Sequence, residues 1–180
     1  MNRLSVLAAF WIVGAAIARA TDCACDVGNP AAMEVRQCGL CKEAELQPSG
    51  TTIFFLKDSN PRKPNRWLAL PRSHGEAHHE LHEMSPADRT ALWTAAIAKA
   101  QSLWGDEWGL AYNGLQTRTQ CHAHVHIGKL LKGIETGKFI VVSKPSQIPT
   151  PPGEGLWIHP VGSRFHVHLG EQTTETVLLR

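Results

Sequence analysis

The chain reads as an α+β domain, an antiparallel sheet with one long and one short helix. Three observations predict it. Strand-like runs with tight glycine- or proline-bearing connections lie on both sides of one long amphipathic segment. That segment opens on Ser85-Pro86, a helix cap followed by proline at the first helical position. The run His122-Ala123-His124-Val125-His126 alternates histidine with small or β-branched residues, the period of a strand with one polar face.

The elements follow in order. Arg3 precedes an almost uninterrupted apolar stretch over residues 4–18, and Ala18-Arg19-Ala20 has the small-x-small pattern of a cleavage site. The stretch is short beside the roughly 20 apolar residues of a spanning helix. Residues 1–20 therefore read as a signal peptide for export to a periplasm or medium, with an uncleaved membrane anchor as the alternative. Residues 21–50 form a cysteine-rich segment carrying Cys23, Cys25, Cys38 and Cys41. In an oxidising compartment these four predict two disulfides; the same spacing also suits a structural zinc. Cys121 reads as a small buried hydrophobe.

Residues 51–180 are the main domain. Residues 52–57 and 66–70 are strand-like around a proline- and lysine-bearing turn, which predicts a hairpin. A short helix is expected over 76–84, with His78, His79 and His82 on a solvated face. The long helix follows over Pro86–Trp104, with Leu92, Ala96, Ala100 and Leu103 at helical spacing. Further strands are expected over 110–113, 119–127, 139–142, 165–169 and 176–179, with a proline-glycine loop over 148–155. With 180 residues, 43% of them hydrophobic, the chain can bury a sizeable core. The net charge of +2, without a basic run, argues against a nucleic-acid partner.

In an extended strand Arg118, Gln120, His122, His124 and His126 share a face, while Thr119, Cys121, Ala123, Val125 and Ile127 turn to the core. A neutral imidazole is a competent nucleophile toward phosphorus near pH 7. Phosphoryl transfer is catalysed mainly by positioning and charge neutralisation, which a cationic, histidine-lined face supplies.

His122-Ala-His124-Val-His126-Ile127 resembles the signature of the histidine-triad (HIT-like) superfamily. Leu68-Ala-Leu-Pro71-Arg72-Ser-His74 and Met84-Ser85-Pro86 are similar to its upstream segment, where a strand ends in proline, a basic residue and histidine before the long helix. Residues 113–127, especially Arg118-Thr119-Gln120-Cys121-His122, resemble the branch of CDP-diacylglycerol pyrophosphatases, which are exported or membrane-associated. The resemblance covers roughly residues 53–129. Gly128 stands where the superfamily usually has a second apolar residue, and residues after Lys129 are not matched.

The resemblance implies a HIT-like sheet and hydrolysis of a nucleotide phosphoanhydride through a nucleotidyl-histidine, with no cofactor. His124 is the implied nucleophile; His122 and His126 orient it and bind phosphoryl oxygens. His74, near the leaving group, and Asn113, Arg118 and Gln120 are the implied substrate contacts. A nucleotide or nucleotide-lipid substrate is expected, with contact at a membrane surface. Leu130, Leu131, Phe139, Leu156 and Trp157 are candidates to meet acyl chains.

His166-Val167-His168, with Arg164 and His159 nearby, repeats the alternation. Placed beside the first histidine strand, it would make an exported metal-binding protein, with His122, His124 and His166 among its ligands. A non-catalytic nucleotide-binding module is a third reading. Oligomeric state is not legible.

Overall fold

The structure, a computed structural model, describes residues 23–73 and 80–180. The signal-like residues 1–20, His74, His78, His79 and the first four positions of the helix expected over 76–84 lie outside the described residues. Of that helix, Leu81–Glu83 form a single 3-10 turn.

Seven antiparallel strands form one sheet: β1 (Ile53–Lys57), β2 (Trp67–Pro71), β3 (Trp108–Tyr112), β4 (Val125–Lys129), β5 (Ile140–Val142), β6 (Gly155–Val161) and β7 (Arg164–Glu171). Their order across the sheet is β1-β2-β4-β3-β6-β7-β5. Three short or long helices flank it, α1 (Pro30–Met33), α2 (Gly39–Glu45) and α3 (Pro86–Trp104). The long helix starts and stops where its sequence signals stand. Ser85 Oγ accepts from the Asp88 N–H at 3.1 Å, Pro86 fills the first turn, and Gly105 ends the helix at φ 55°.

Leu92, Trp93, Ala96, Ile97 and Ala100 of α3 are buried against Leu110, Val125, Ile127, Ile158 and Val167 on one face of the sheet. Leu103, expected on that buried face, is exposed. The hairpin of β1 and β2 forms as expected, pairing Ile53 with Pro71 through to Lys57 with Trp67.

The opposite face carries the polar side chains. Leu68, His126, Ala111, Trp157 and His168 lie on one rung across β2, β4, β3, β6 and β7. At one end, Leu40 and Ala44 of α2 pack on Phe54, Leu68 and Leu70. Further along, Val177 and Leu178 cover Ala111 and Trp157.

A glycine notch lets the C-terminal segment lie this close. Gly109 and Gly128 are cross-strand partners. A Cβ on Gly109 would meet Leu178 Cδ2 at 2.6 Å, and one on Gly128 would meet Leu178 Cβ at 3.2 Å. Gly128, the departure from the triad signature, is the floor on which Leu178 sits.

Several sequence expectations are corrected here. Residues 176–179 form no strand: Thr174–Val177 make a 3-10 turn, and one bridge joins Leu178 to Leu130. The segment expected as a strand over 119–127 enters the sheet only at Val125. Before it, the Cys121 N–H donates to the Gln37 carbonyl at 2.8 Å, so the chain pairs with the N-terminal segment instead of a strand. That pairing also decides the cysteines. The disulfides are Cys23–Cys121 and Cys25–Cys38, and Cys41 is a buried thiol. Cys121 is therefore a bridge partner and not an isolated hydrophobe; of the four early cysteines only Cys25 and Cys38 pair with each other, Cys23 bridges to Cys121, and with three of the four oxidised they form no zinc cage. Burial pushes the Cys41 thiol up to about 11, so it stays protonated. Two disulfides fit an oxidising, extracytoplasmic environment. Among the described residues no helix is long and apolar enough to cross a membrane.

Candidate active site

A cavity of about 560 Å³ opens on the polar face of the sheet, between α2, the turn after β1, the segment 113–120 and the C-terminal segment. Asn113, Arg118, Gln120, His124 and His126 all line it, as do Lys63 and Glu175. Four elements distant in sequence thus bring one imidazole-rich and cationic wall together.

The ring of His124 is set by main chain. Its Nδ1 lies 2.7 Å from the His122 carbonyl, which can only accept, so Nδ1 carries the proton and Nε2 keeps its lone pair. Burial lowers its pKa to about 4, and the nearby Arg118 charge pushes the same way against the favourable carbonyl contact. His124 is therefore a neutral imidazole at pH 7 with a fixed tautomer.

His122 does not line the cavity. Its Nε2 donates to the Pro71 carbonyl at 2.7 Å, which ties the segment to the end of β2. The orienting contribution expected from its ring comes from its backbone carbonyl.

His126 stands edge-on to His124 with ring centroids 4.9 Å apart. Its Nε2 lies 3.5 Å from Asn113 Nδ2 and its Nδ1 3.7 Å from Glu175 Oε2. Burial, followed by the neighbouring His124, lowers its pKa to about 3, so this ring too is neutral.

Arg118 is a buried cation that borders the cavity. It is 2% exposed, and its Nη1 donates to the Tyr112 hydroxyl. Its Nε and Nη2 are buried and donate to no acceptor among the described residues. Each unmet buried N–H costs about 1–3 kcal/mol, so a guanidinium built this way is stabilised by an incoming oxyanion. The Tyr112 hydroxyl also accepts from the Leu81 N–H at 3.3 Å. Burial raises its pKa to about 12, which keeps it a neutral acceptor beside Arg118.

Two expected contacts have other partners. Gln120 Nε2 donates to the Arg36 carbonyl at 2.9 Å and its Oε1 accepts from the Leu40 N–H at 3.3 Å, so its amide holds the N-terminal segment against the cavity. Asn113 Oδ1 accepts from the Glu175 N–H at 3.1 Å, which links His126 to the C-terminal segment. Both still border the cavity.

Sequence reasoning missed Glu175, Lys63 and Arg66. Glu175 Oε2 accepts from Lys63 Nζ at 2.5 Å and from Arg66 Nη1 at 2.8 Å. Burial works to raise the Glu175 carboxyl, but the adjacent cations outweigh it and hold the group at about 2. Arg66, 2% exposed, also donates to the carbonyls of Leu178 and Leu179, clamping the C-terminal segment beside His126. No local pattern signals this, because Arg66 and Glu175 are over a hundred positions apart. The weak hint was an arginine at the edge of an otherwise apolar strand.

The acyl-chain candidates do not surround this cavity. Leu156 and Trp157 are buried within β6, Leu130 packs under the C-terminal segment, and Phe139 stacks on His166. The apolar wall is Leu40, Leu56 and Leu68. The metal reading through His122, His124 and His166 is corrected as well. β3 and β6 separate β4 from β7, so His166 stands on a different part of the sheet.

No protein-family model matches the chain, and comparison with curated proteins finds no match. The fold and cavity define an α+β protein with a buried, neutral, tautomer-fixed histidine beside an unspent guanidinium.

Proposed function

We propose that the protein is a histidine-triad-type hydrolase that cleaves a nucleotide phosphoanhydride through a nucleotidyl-His124 intermediate. The single observation that carries this reading is His124 Nε2, left with its lone pair, in the wall of a cavity that Arg118 also lines. Nε2 attacks the nucleotide phosphorus, the bridging P–O bond breaks, and the distal phosphate leaves. Water then attacks the same phosphorus, the N–P bond breaks, and imidazole and a nucleoside monophosphate are released. Arg118, with Lys63 at the cavity mouth, balances the phosphoryl charge, so the chemistry needs no metal.

The resemblance of residues 113–127 nominates CDP-diacylglycerol, cleaved to CMP and phosphatidate, as the substrate. Leu40, Leu56 and Leu68 offer that substrate an apolar wall. The signal-like N-terminus and the two disulfides support an exported enzyme working at a membrane surface.

The test is hydrolysis by purified protein of CDP-diacylglycerol in mixed micelles and a panel of soluble nucleotide diphosphate conjugates, with and without EDTA. Cleavage that survives EDTA and disappears in His124→Asn is expected. Faster cleavage of a soluble conjugate overturns the lipid assignment alone. Hydrolysis unchanged in His124→Asn overturns the mechanism.

A further inference from the structure

The far end of the polar face carries a second histidine cluster that the proposed reaction does not use. His159 on β6 and His166 on β7 are cross-strand partners. Glu135, from the connection between β4 and β5, reaches both. Its Oε1 lies 2.5 Å from His166 Nδ1 and 3.5 Å from His159 Nε2. One ligand atom from each of the three falls within 4.8 Å of the others.

The donors are held in place and one is unspent. Phe139 stacks on His166 with centroids 3.8 Å apart, and Trp157 stacks on His159 at 5.5 Å. His159 is 5% exposed, and its Nε2 is buried without a hydrogen bond among the described residues. An exposed carboxylate–imidazole pair alone contributes little to stability. It gives no reason to bury a second imidazole nitrogen unpaired beside the same carboxylate. A cation does.

We propose that Glu135, His159 and His166 bind a divalent transition-metal ion of the zinc class, with water as the fourth ligand. Bonds of about 2.0–2.1 Å set the ligand atoms of tetrahedral zinc roughly 3.3 Å apart, a spacing bracketed by the two Glu135 distances. Two imidazole nitrogens and one carboxylate exclude magnesium and calcium, which take oxygen. A cavity of about 430 Å³ bordered by Glu107, Ile134, Glu135, His159 and Pro160 leaves room for the water. To ligate, His166 takes the tautomer with its single proton on Nε2, and the Nδ1–H donation to Glu135 is replaced by the two metal bonds. The ion then pins the connection before β5 onto β6 and β7.

This site is separate from the His124 cavity. His126 and His168 share a rung with β3 and β6 between their strands, so the two ends lie roughly 14 Å apart at ordinary strand spacing.

The experiment is calorimetric titration of the untagged full chain with Zn²⁺, repeated with Co²⁺ for its visible absorption. One ion per chain is expected, with the cobalt bands of a four-coordinate site. Glu135→Gln and His166→Ala should each weaken binding at least about tenfold, while His124→Asn should leave it unchanged. Glu135 is exposed, so Glu135→Gln keeps the fold, which circular dichroism verifies. Absence of stoichiometric binding, or full affinity retained in both variants, overturns the proposal. So does loss of binding in His124→Asn.

Discussion

Two ends of one sheet face use histidine in opposite ways. Around β4, His124 and His126 are sunk in a cavity wall with neutral rings, and Arg118 nearby has two nitrogens that meet no acceptor among the described residues. Around β6 and β7, His159 and His166 meet a carboxylate directly and are stacked on aromatic rings. On the functions proposed above, the first arrangement presents a lone pair to an anionic substrate and the second gathers donors toward a cation. Residue type does not separate them. What separates them is the neighbouring charge: a guanidinium at one end, a carboxylate at the other.

The sharpest way to break that comparison is to remove one imidazole from each end. His124→Asn should lower turnover of the proposed substrate by about 10³-fold or more, because the covalent route goes with the ring. His166→Ala should leave turnover within about threefold. Steady-state kinetics on both variants decide whether the ends are independent.

The Cys23–Cys121 bridge sits at the triad end only. It joins residues 98 positions apart and holds the segment that leads into His122. Replacing both cysteines by serine should cost roughly 3–5 kcal/mol by the loop-closure model, measured by urea denaturation. Zn²⁺ binding measured on the still-folded variant should be unaffected.

Arg118→Ala should lower kcat/KM by about a hundredfold, close to 2.7 kcal/mol of transition-state stabilisation. Arg118→Lys should recover part of it, since an ammonium keeps the charge and loses the fork. Equal activity of Arg118→Ala and wild type would remove the cation from the mechanism.

Acid should act on stability before it acts on turnover. An unfolded imidazole titrates near 6.5, whereas His124 and His126 are lowered to about 4 and 3. Below pH 6.5 the unfolded chain binds more protons than the folded one, so stability falls progressively as pH drops toward 3. The nucleophile stays neutral throughout most of that window. Turnover should therefore persist down to near pH 4 while the melting temperature declines, in parallel pH profiles of kcat and Tm.

The smallest effect expected is that of Gly128→Ala. Its Cβ would press on Leu178 at 3.2 Å and shift the segment that delivers Glu175 to His126. A loss of about 1 kcal/mol in stability, with a few-fold drop in turnover, is expected by thermal melting and kinetics.

What the sequence by itself determined is a set of local features. Ser85-Pro86 and Gly105 bound the long helix, and the hairpin of β1 and β2 follows from two apolar runs around a polar turn. The alternation from Ala123 to Ile127 correctly separates core-facing from site-facing residues, because side-chain direction in a strand depends only on parity. Upstream of Ala123 parity stops working, since the chain there pairs with residues near Gln37 and leaves the strand path. That is why Arg118, Gln120 and His124 reach the cavity while His122 turns to Pro71.

Only the tertiary structure decided the partners that no spacing encodes. Arg66 and Glu175 meet because Gly109 and Gly128 leave a notch for Leu178. Cys121 finds Cys23 because Gln120 and Cys121 dock on the N-terminal segment. The strand order, which sets β3 and β6 between β4 and β7, keeps the two histidine clusters apart. These are contacts between residues far apart in the chain, fixed by which faces must be buried together, and a linear pattern carries no term for them.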